Sequence, residues 1–266
     1  MPRPKRWTYT EFKDGLMTVT LASWKYFADF INQELLDYKT YIYRGHASDA
    51  WKLESTLDRA IKVLPTAKRS EARGNHLANF RLAARGRRGP NPRELTRDED
   101  WWALGQHYGL ATPLLDWTES PFVALYFAFE QVDTRGASYR AVWGISQNSA
   151  TSRSLEILSE WKDAETNGRP PIVQIIRPML DENPRLVSQR GVFVWGPDDV
   201  PIDDWFQQQY PAEPKLWRAF KIKIPRTDRP QCLRFLNRMN INHLSLFPDL
   251  SGASLYCNMD LQIDNY

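Results

Sequence analysis

Cysteine is nearly absent from this chain of 266 residues, which has only Cys232 and Cys257. Two thiols make neither a disulfide framework nor a tetrahedral metal set, so a reducing compartment is expected. Histidine is also sparse. His46, His76, His107 and His243 include no i,i+4 pair and have no cysteine nearby, and a metal site is not expected. The chain has no GxSxG elbow and no glycine-rich phosphate loop of either common type, which argues against nucleophile-elbow hydrolases and standard ATP or dinucleotide folds. No apolar run reaches about 18 residues, and the opening MPRPKRWTYTEF has no apolar core of signal-peptide length. A cytoplasmic protein without membrane attachment is expected. The net charge of +3 is too small to argue for nucleic acid by itself.

What is present fits one domain. Hydrophobic residues at 42% and charged residues at 25% are ordinary for a globular protein, and this length can bury one sizeable core. Ser23 to Tyr38 reads as a helix, capped by Ser23, with Trp24, Phe27, Ile31 and Leu35 as its buried stripe. Thr40 to Arg44 is a short strand closed by Gly45. Glu71 to Arg85 is helical and runs into a loop, Arg81 to Arg97, that holds Arg85, Arg87, Arg88 and Arg93 between Gly86, Gly89, Pro90 and Pro92. That loop is either a solvated surface or a nucleic-acid groove.

Thr96 and Glu99 form a capping-box signature for a helix ending at Gly109. Leu114 and Leu115 suggest a short strand or turn. Ser120 and Pro121 start a helix, Phe122 to Val132, with almost no polar face. The rest is mostly β: Ala141 to Ile145, Ile172 to Ile176, Gly191 to Trp195, and Ala219 to Ile224, whose Lys221 and Lys223 mark one wet face. Ser146 to Pro171 reads as a helical insertion with a loop. Helices are expected over Arg229 to Met239 and Leu250 to Met259. The sum is an α+β single domain, a mixed or antiparallel sheet flanked by helices. Residues 1–40 form an N-terminal helical segment packed on the globular unit 41–266.

The most informative stretch is Gly105 to Phe129, GQHYGLATPLLDWTESPFVALYFAF. Polar, hydrogen-bonding residues immediately before a buried helix are how a specific pocket is built. They are also how a helix is merely capped. Together with Tyr43-Arg44-Gly45-His46, the block QHYG…LLDWT…P…AL-FA resembles the FRG domain. The segment NPR…QRG-F at Asn183 to Phe193 and FPDLSG at Phe247 to Gly252 extend the resemblance from Tyr41 to Leu255. Two departures are visible: His46 stands where glutamine is frequent, and Thr112-Pro113 replaces a common Thr-Arg.

The motif order in turn resembles the ADP-ribosyltransferase superfamily, with Arg44-Gly45 as its early strand motif and Thr118-Glu119-Ser120 as its hydroxyl turn. That resemblance implies an ADP-ribosyltransferase-like fold and NAD as cofactor. It also implies a toxin or phage-defence role, a macromolecular acceptor (protein or nucleic acid) and a neutralising antitoxin. Arg44 would grip the pyrophosphate, unless it only pairs with Asp116 or Glu119. Gly45 would let the backbone approach the carboxamide. Thr118 would order a ribose hydroxyl, and Trp117 or Tyr108 would stack on nicotinamide. His46, Gln106, His107 and Asp116 complete the expected cofactor-binding set. The third catalytic residue stays open among Gln189, Asp249 and Glu119. Gln106, His107 and Asp116 also have plain readings as helix-end and cap residues. Two other functions compete: a non-catalytic nucleotide or nucleic-acid binding module, and a glycohydrolase that only consumes NAD.

Overall fold

A computed structural model describes residues 5–13, 15–132, 136–162, 169–177, 184–211 and 216–266. The chain opens with a hairpin where a helical segment was expected. β1 (Trp7–Lys13) pairs antiparallel with β2 (Leu16–Leu21), and Gly15 sits beside the turn with φ of +72°. Val19 and Leu21 of β2 are buried in the main core. Only then comes the Ser23-capped helical stretch, a 3-10 turn (Trp24–Tyr26), α1 (Phe27–Phe30) and a π turn (Ile31–Leu35). β3 (Tyr41–His46) does not close at Gly45 but runs through it.

α2 (Thr56–Ile61) and α3 (Thr66–Ala83) follow, then α4 (Asp98–His107). The expected Thr96–Glu99 capping box is not made: the cap residue of α4 is Arg97, which has no side-chain cap bond, and Glu99 accepts from Gln174 at 3.0 Å. β4 (Leu114–Thr118) is longer than Leu114 and Leu115 suggested, because Asp116, Trp117 and Thr118 pair with a later strand. α5 (Pro121–Glu130) is capped by Ser120 as read from sequence. β5 (Tyr139–Ser146), α6 (Gln147–Lys162), β6 (Gln174–Ile176), α7 (Pro184–Ser188), β7 (Gly191–Trp195), α8 (Ile202–Gln209) and β8 (Ala219–Pro225) come next. The chain ends in α9 (Arg229–Arg238), α10 (His243–Leu246) and α11 (Leu250–Gln262). Asn183 of the quoted NPR segment, and residues 163–168 of the expected insertion, lie outside the described residues.

Eight strands form one mixed sheet in the order β1-β2-β8-β5-β3-β4-β7-β6. The β2–β8 pair is parallel and the other neighbours are antiparallel. β8 therefore lies inside the sheet, and its lysine face is partly exposed. Lys221 Nζ sits 4.4 Å from the Trp143 ring centroid and donates to the Asp49 carbonyl, while Lys223 pairs with Asp49 at 2.9 Å. One core, with α1, α5 and α9, covers one face of the sheet. A second, with Trp143, Trp205 and Phe206, covers the other. A smaller cluster, which includes Leu57, Leu77 and Trp102, packs α2, α3 and α4 together beside β7.

Two features of this packing position the site. The first is Gly45: a Cβ there would lie 2.0 Å from the Ala124 carbonyl oxygen and 2.5 Å from the Ala128 nitrogen. The missing side chain admits the backbone of α5 against β3. The second is the seam between β3 and β4, whose register consists of Tyr43 opposite Thr118. Beyond that point the strands part, and Arg44 Nη1 donates to the Asp116 carbonyl in place of a ladder bond. A cleft opens there.

Candidate functional site

The cleft has a volume of about 340 Å³, at the lower end of the range for small-molecule sites. Arg44, Gly45, Gln106, His107, Asp116, Trp117, Thr118 and Gln189 all line it, although they come from β3, α4, β4 and the turn after α7.

Arg44 is about one-fifth exposed. Its Nε donates to His46 Nε2 at 3.1 Å, and its Nη1 reaches both the Asp116 carbonyl and, at 3.9 Å, the Asp116 carboxylate. Its Nη2 has no hydrogen-bond partner among the described residues. Burial lowers the pKa of this guanidinium, with Asp116 opposing. His46 is buried behind it and outside the cleft lining. Burial first, then the Arg44 charge, pushes the His46 pKa down to about 3, so its ring is neutral and can accept from Arg44.

Gln106 is held at both ends. Thr112 donates its hydroxyl to Oε1, and Nε2 donates to Asp116 Oδ1 at 2.8 Å. The amide thus sets the orientation of the Asp116 carboxylate, which is otherwise largely exposed. Burial lowers the His107 pKa, and the nearby Arg185 charge lowers it further.

Several expected roles do not match the geometry. The space that Gly45 leaves is filled by α5, so it cannot admit a carboxamide on that side. Trp117 is 3% exposed and packs in the core on the opposite sheet face, because alternation along β4 sends Leu115 and Trp117 one way and Asp116 and Thr118 the other. It cannot stack on a ligand. Tyr108 is 73% exposed and lines a different groove. The Thr118 hydroxyl donates to the Gln189 carbonyl at 2.6 Å and accepts from the Ser120 amide at 3.0 Å. Its one proton is committed, so toward a ribose it can only accept.

The three candidates for the remaining catalytic position also separate. Gln189 lines the cleft, but its Nε2 donates to the Leu246 carbonyl at 3.1 Å. Glu119 lies outside the lining, in ion pairs with Arg177 at 3.0 Å and Arg190 at 3.4 Å. Asp249 caps α11 through the Gly252 amide at 2.9 Å and accepts from Arg185, and these two donors hold its pKa below the usual carboxylate value. Of its two readings, the cap is the one made.

Other lining residues were not singled out from the sequence: Phe127, Glu130, Gln131, Arg185, Leu186, Phe193 and Phe247. Glu130 ends the run FVALYFAFE and is its one charged residue, a signal that was legible but that reads equally as a helix end. Its carboxylate lies 3.1 Å from His243 Nε2, and the Tyr126 hydroxyl lies 2.6 Å from His243 Nδ1. One carboxylate oxygen of this cleft residue is thus held against the buried His243. Arg185 is the arginine of the NPR motif, and its guanidinium lies 5.4 Å from the Phe247 ring centroid.

Residues 39–136 match the family model of the FRG domain. The match takes in Arg44, Gln106, His107, Asp116, Thr118 and Glu130, while Arg185, Gln189 and Phe247 complete the cleft from beyond it. No curated protein and no solved structure matches the chain.

Proposed function

We propose that the cleft binds NAD and that the protein transfers ADP-ribose to a macromolecular acceptor, as an ADP-ribosyltransferase-like toxin or phage-defence effector. The observation that carries this reading is the Arg44 guanidinium, anchored along one edge with its Nη2 free in a cleft that also holds an oriented carboxylate, Glu130. The Nη1–Nη2 end of Arg44 offers planar donors to the pyrophosphate, as a lysine could not. Arg185, paired with Asp249, supplies a second guanidinium at the wall, and Phe127 and Phe247 give apolar walls for the nicotinamide ring.

In the transfer, the C1′–nitrogen bond breaks with its electron pair leaving on nicotinamide. An acceptor nucleophile bonds to C1′, and its proton passes to the Glu130 carboxylate. Glu130 also faces the developing oxocarbenium charge with a negative group. His243 and Tyr126 position it and do not touch substrate. The Thr118–Ser120 turn, in the place of the hydroxyl motif, acts by fixing Gln189 and the start of α5.

The binding-module reading draws on one observation: the Thr118 proton and the Gln189 amide are both committed to carbonyls. One assay separates it from transfer and from simple hydrolysis. Purified protein is incubated with NAD alone, with protein acceptors and with nucleic acid, and nicotinamide release is followed. Transfer gives acceptor-dependent release, and hydrolysis gives release without acceptor. Arg44→Ala abolishes release, and Arg44→Lys restores little of it. Glu130→Gln retains NAD binding and lowers the rate by about 100-fold or more, the usual contribution of a general base. No release with any acceptor, together with loss of nucleotide binding in Arg44→Ala, establishes the binding module instead.

A further inference from the structure

A second concavity lies beside the cleft, between α3, the loop that follows it, and the C-terminal end of α4. Its volume is about 330 Å³. Phe80, Ala83, Ala84 and Leu104 give it apolar walls, and Tyr108, with most of its surface free, stands at its edge. Arg87 and Arg88 complete the lining, and Arg85 lies just past the Ala84 cap of α3. The acidic side chains at the start of α4 are otherwise engaged: Asp98 with Arg81 at 2.6 Å, Asp100 with Arg97 at 3.0 Å, and Glu99 with Gln174. Among the described residues no carboxylate pairs with Arg85 or Arg87, and the one bond from the Arg85 side chain goes to the Leu82 carbonyl. An apolar slot edged by a largely exposed aromatic ring and by Arg87, which no carboxylate among the described residues offsets, matches one chemistry: an unpaired base with its flanking phosphates.

The position adds a second argument. His107 and Tyr108 are consecutive, with ring centroids 4.8 Å apart, and His107 lines the cleft while Tyr108 lines the groove. The two sites share this pair as a wall. A strand seated in the groove would lead its next nucleotide to the mouth of the cleft.

We infer that the groove formed by Phe80, Leu104 and Tyr108 binds single-stranded nucleic acid. Tyr108 stacks on one base, while Arg85 and Arg87 neutralise the adjoining phosphates. Duplex binds less well, because its base faces are covered by stacking. As a binding site the groove stands independently; as the platform that presents an acceptor to the cleft, it rests on the transferase reading given above.

The test is fluorescence anisotropy on the full chain, without NAD, using labelled mixed-sequence single-stranded DNA, single-stranded RNA and the matching duplex over a salt series. The single strands are expected to bind in preference to the duplex. Tyr108→Ala should weaken binding on the order of tenfold. Arg85→Ala with Arg87→Ala should reduce the slope of log affinity against log salt by about 1.4, from about 0.7 per phosphate on a single strand. All three positions are on the surface, and unchanged melting temperatures would show that the variants fold. Equal affinity for duplex, no binding at low salt, or full binding by Tyr108→Ala overturns the inference. So does equal competition by an acidic polypeptide, which would mark the surface as a protein-docking face. Oligonucleotide binding without nicotinamide release leaves the groove standing and removes the NAD reading. Nicotinamide release without oligonucleotide binding does the reverse.

Discussion

Burial decides what His46 can be. In the unfolded chain its imidazole titrates near the ordinary value of 6.5, whereas in the fold burial and the Arg44 charge bring it to about 3. Between those values the unfolded state binds a proton that the folded state does not, so stability rises with pH there and is lost on acidification. We expect the melting temperature to fall as pH drops from about 6.5 toward 3, with a slope reflecting up to one proton from this residue. His46→Gln keeps an acceptor for Arg44 Nε and removes the titration. Its melting temperature should therefore depend less steeply on pH across the same window, and identical profiles for the two proteins would show that His46 is protonated in the fold. The same bond explains why Arg44 is ready for a ligand. Its Nε edge is already satisfied by a neutral acceptor, which leaves the outer edge of the guanidinium to the cleft.

At the scale of the element, α5 carries the site. It is buried along most of its length, with Leu125 at 1% exposure and Tyr126 and Phe129 fully enclosed. It presses on β3 at Gly45, and it delivers Phe127 and Glu130 to the cleft from its last turn. Leu125→Ala should cost about 2–5 kcal/mol through the cavity it leaves, read by chemical denaturation. A loss below about half a kcal/mol would mean that the helix faces solvent. Because the helix is also the support for Glu130, the variant should lose nicotinamide release in proportion to its folded fraction.

For the whole molecule, the cleft is a property of the sheet. β3 and β4 are neighbours that pair at a single register point, and the space where they part is walled by α4, α7 and the end of α5. A ligand that fills this space binds the folded chain alone and raises its stability by mass action, about 2.7 kcal/mol at a hundredfold excess over Kd. NAD should raise the melting temperature of the native protein and leave that of Arg44→Ala unchanged. An equal shift in both would place the nucleotide away from Arg44. Among the described residues no helix is long and apolar enough to cross a membrane.

The sequence by itself determined much of this. Apolar content without a polar face marked α5 as buried, Ser120-Pro121 marked its start, and the strand at Gly191–Trp195 was readable to the residue. These features depend on local chemistry, namely capping, proline geometry and β-branched runs, so they are written in adjacent residues. The cleft motifs around Arg44 and Gln106–Thr118 were legible through their resemblance to the FRG domain.

Only the tertiary structure decided the rest. β1 and β2 escaped notice because β2 is completed by pairing with β8, some two hundred residues later. Thr118 was assigned to a turn and Trp117 to stacking on a ligand, and partnership with β7 drew both into a strand and sent the indole to the far face. Glu130 reads in sequence as an ordinary helix end, and it becomes a cleft carboxylate because His243, brought from another part of the chain, holds it there. Local propensity fixes where an element begins and ends; which side chain meets which is settled when distant strands and helices pack.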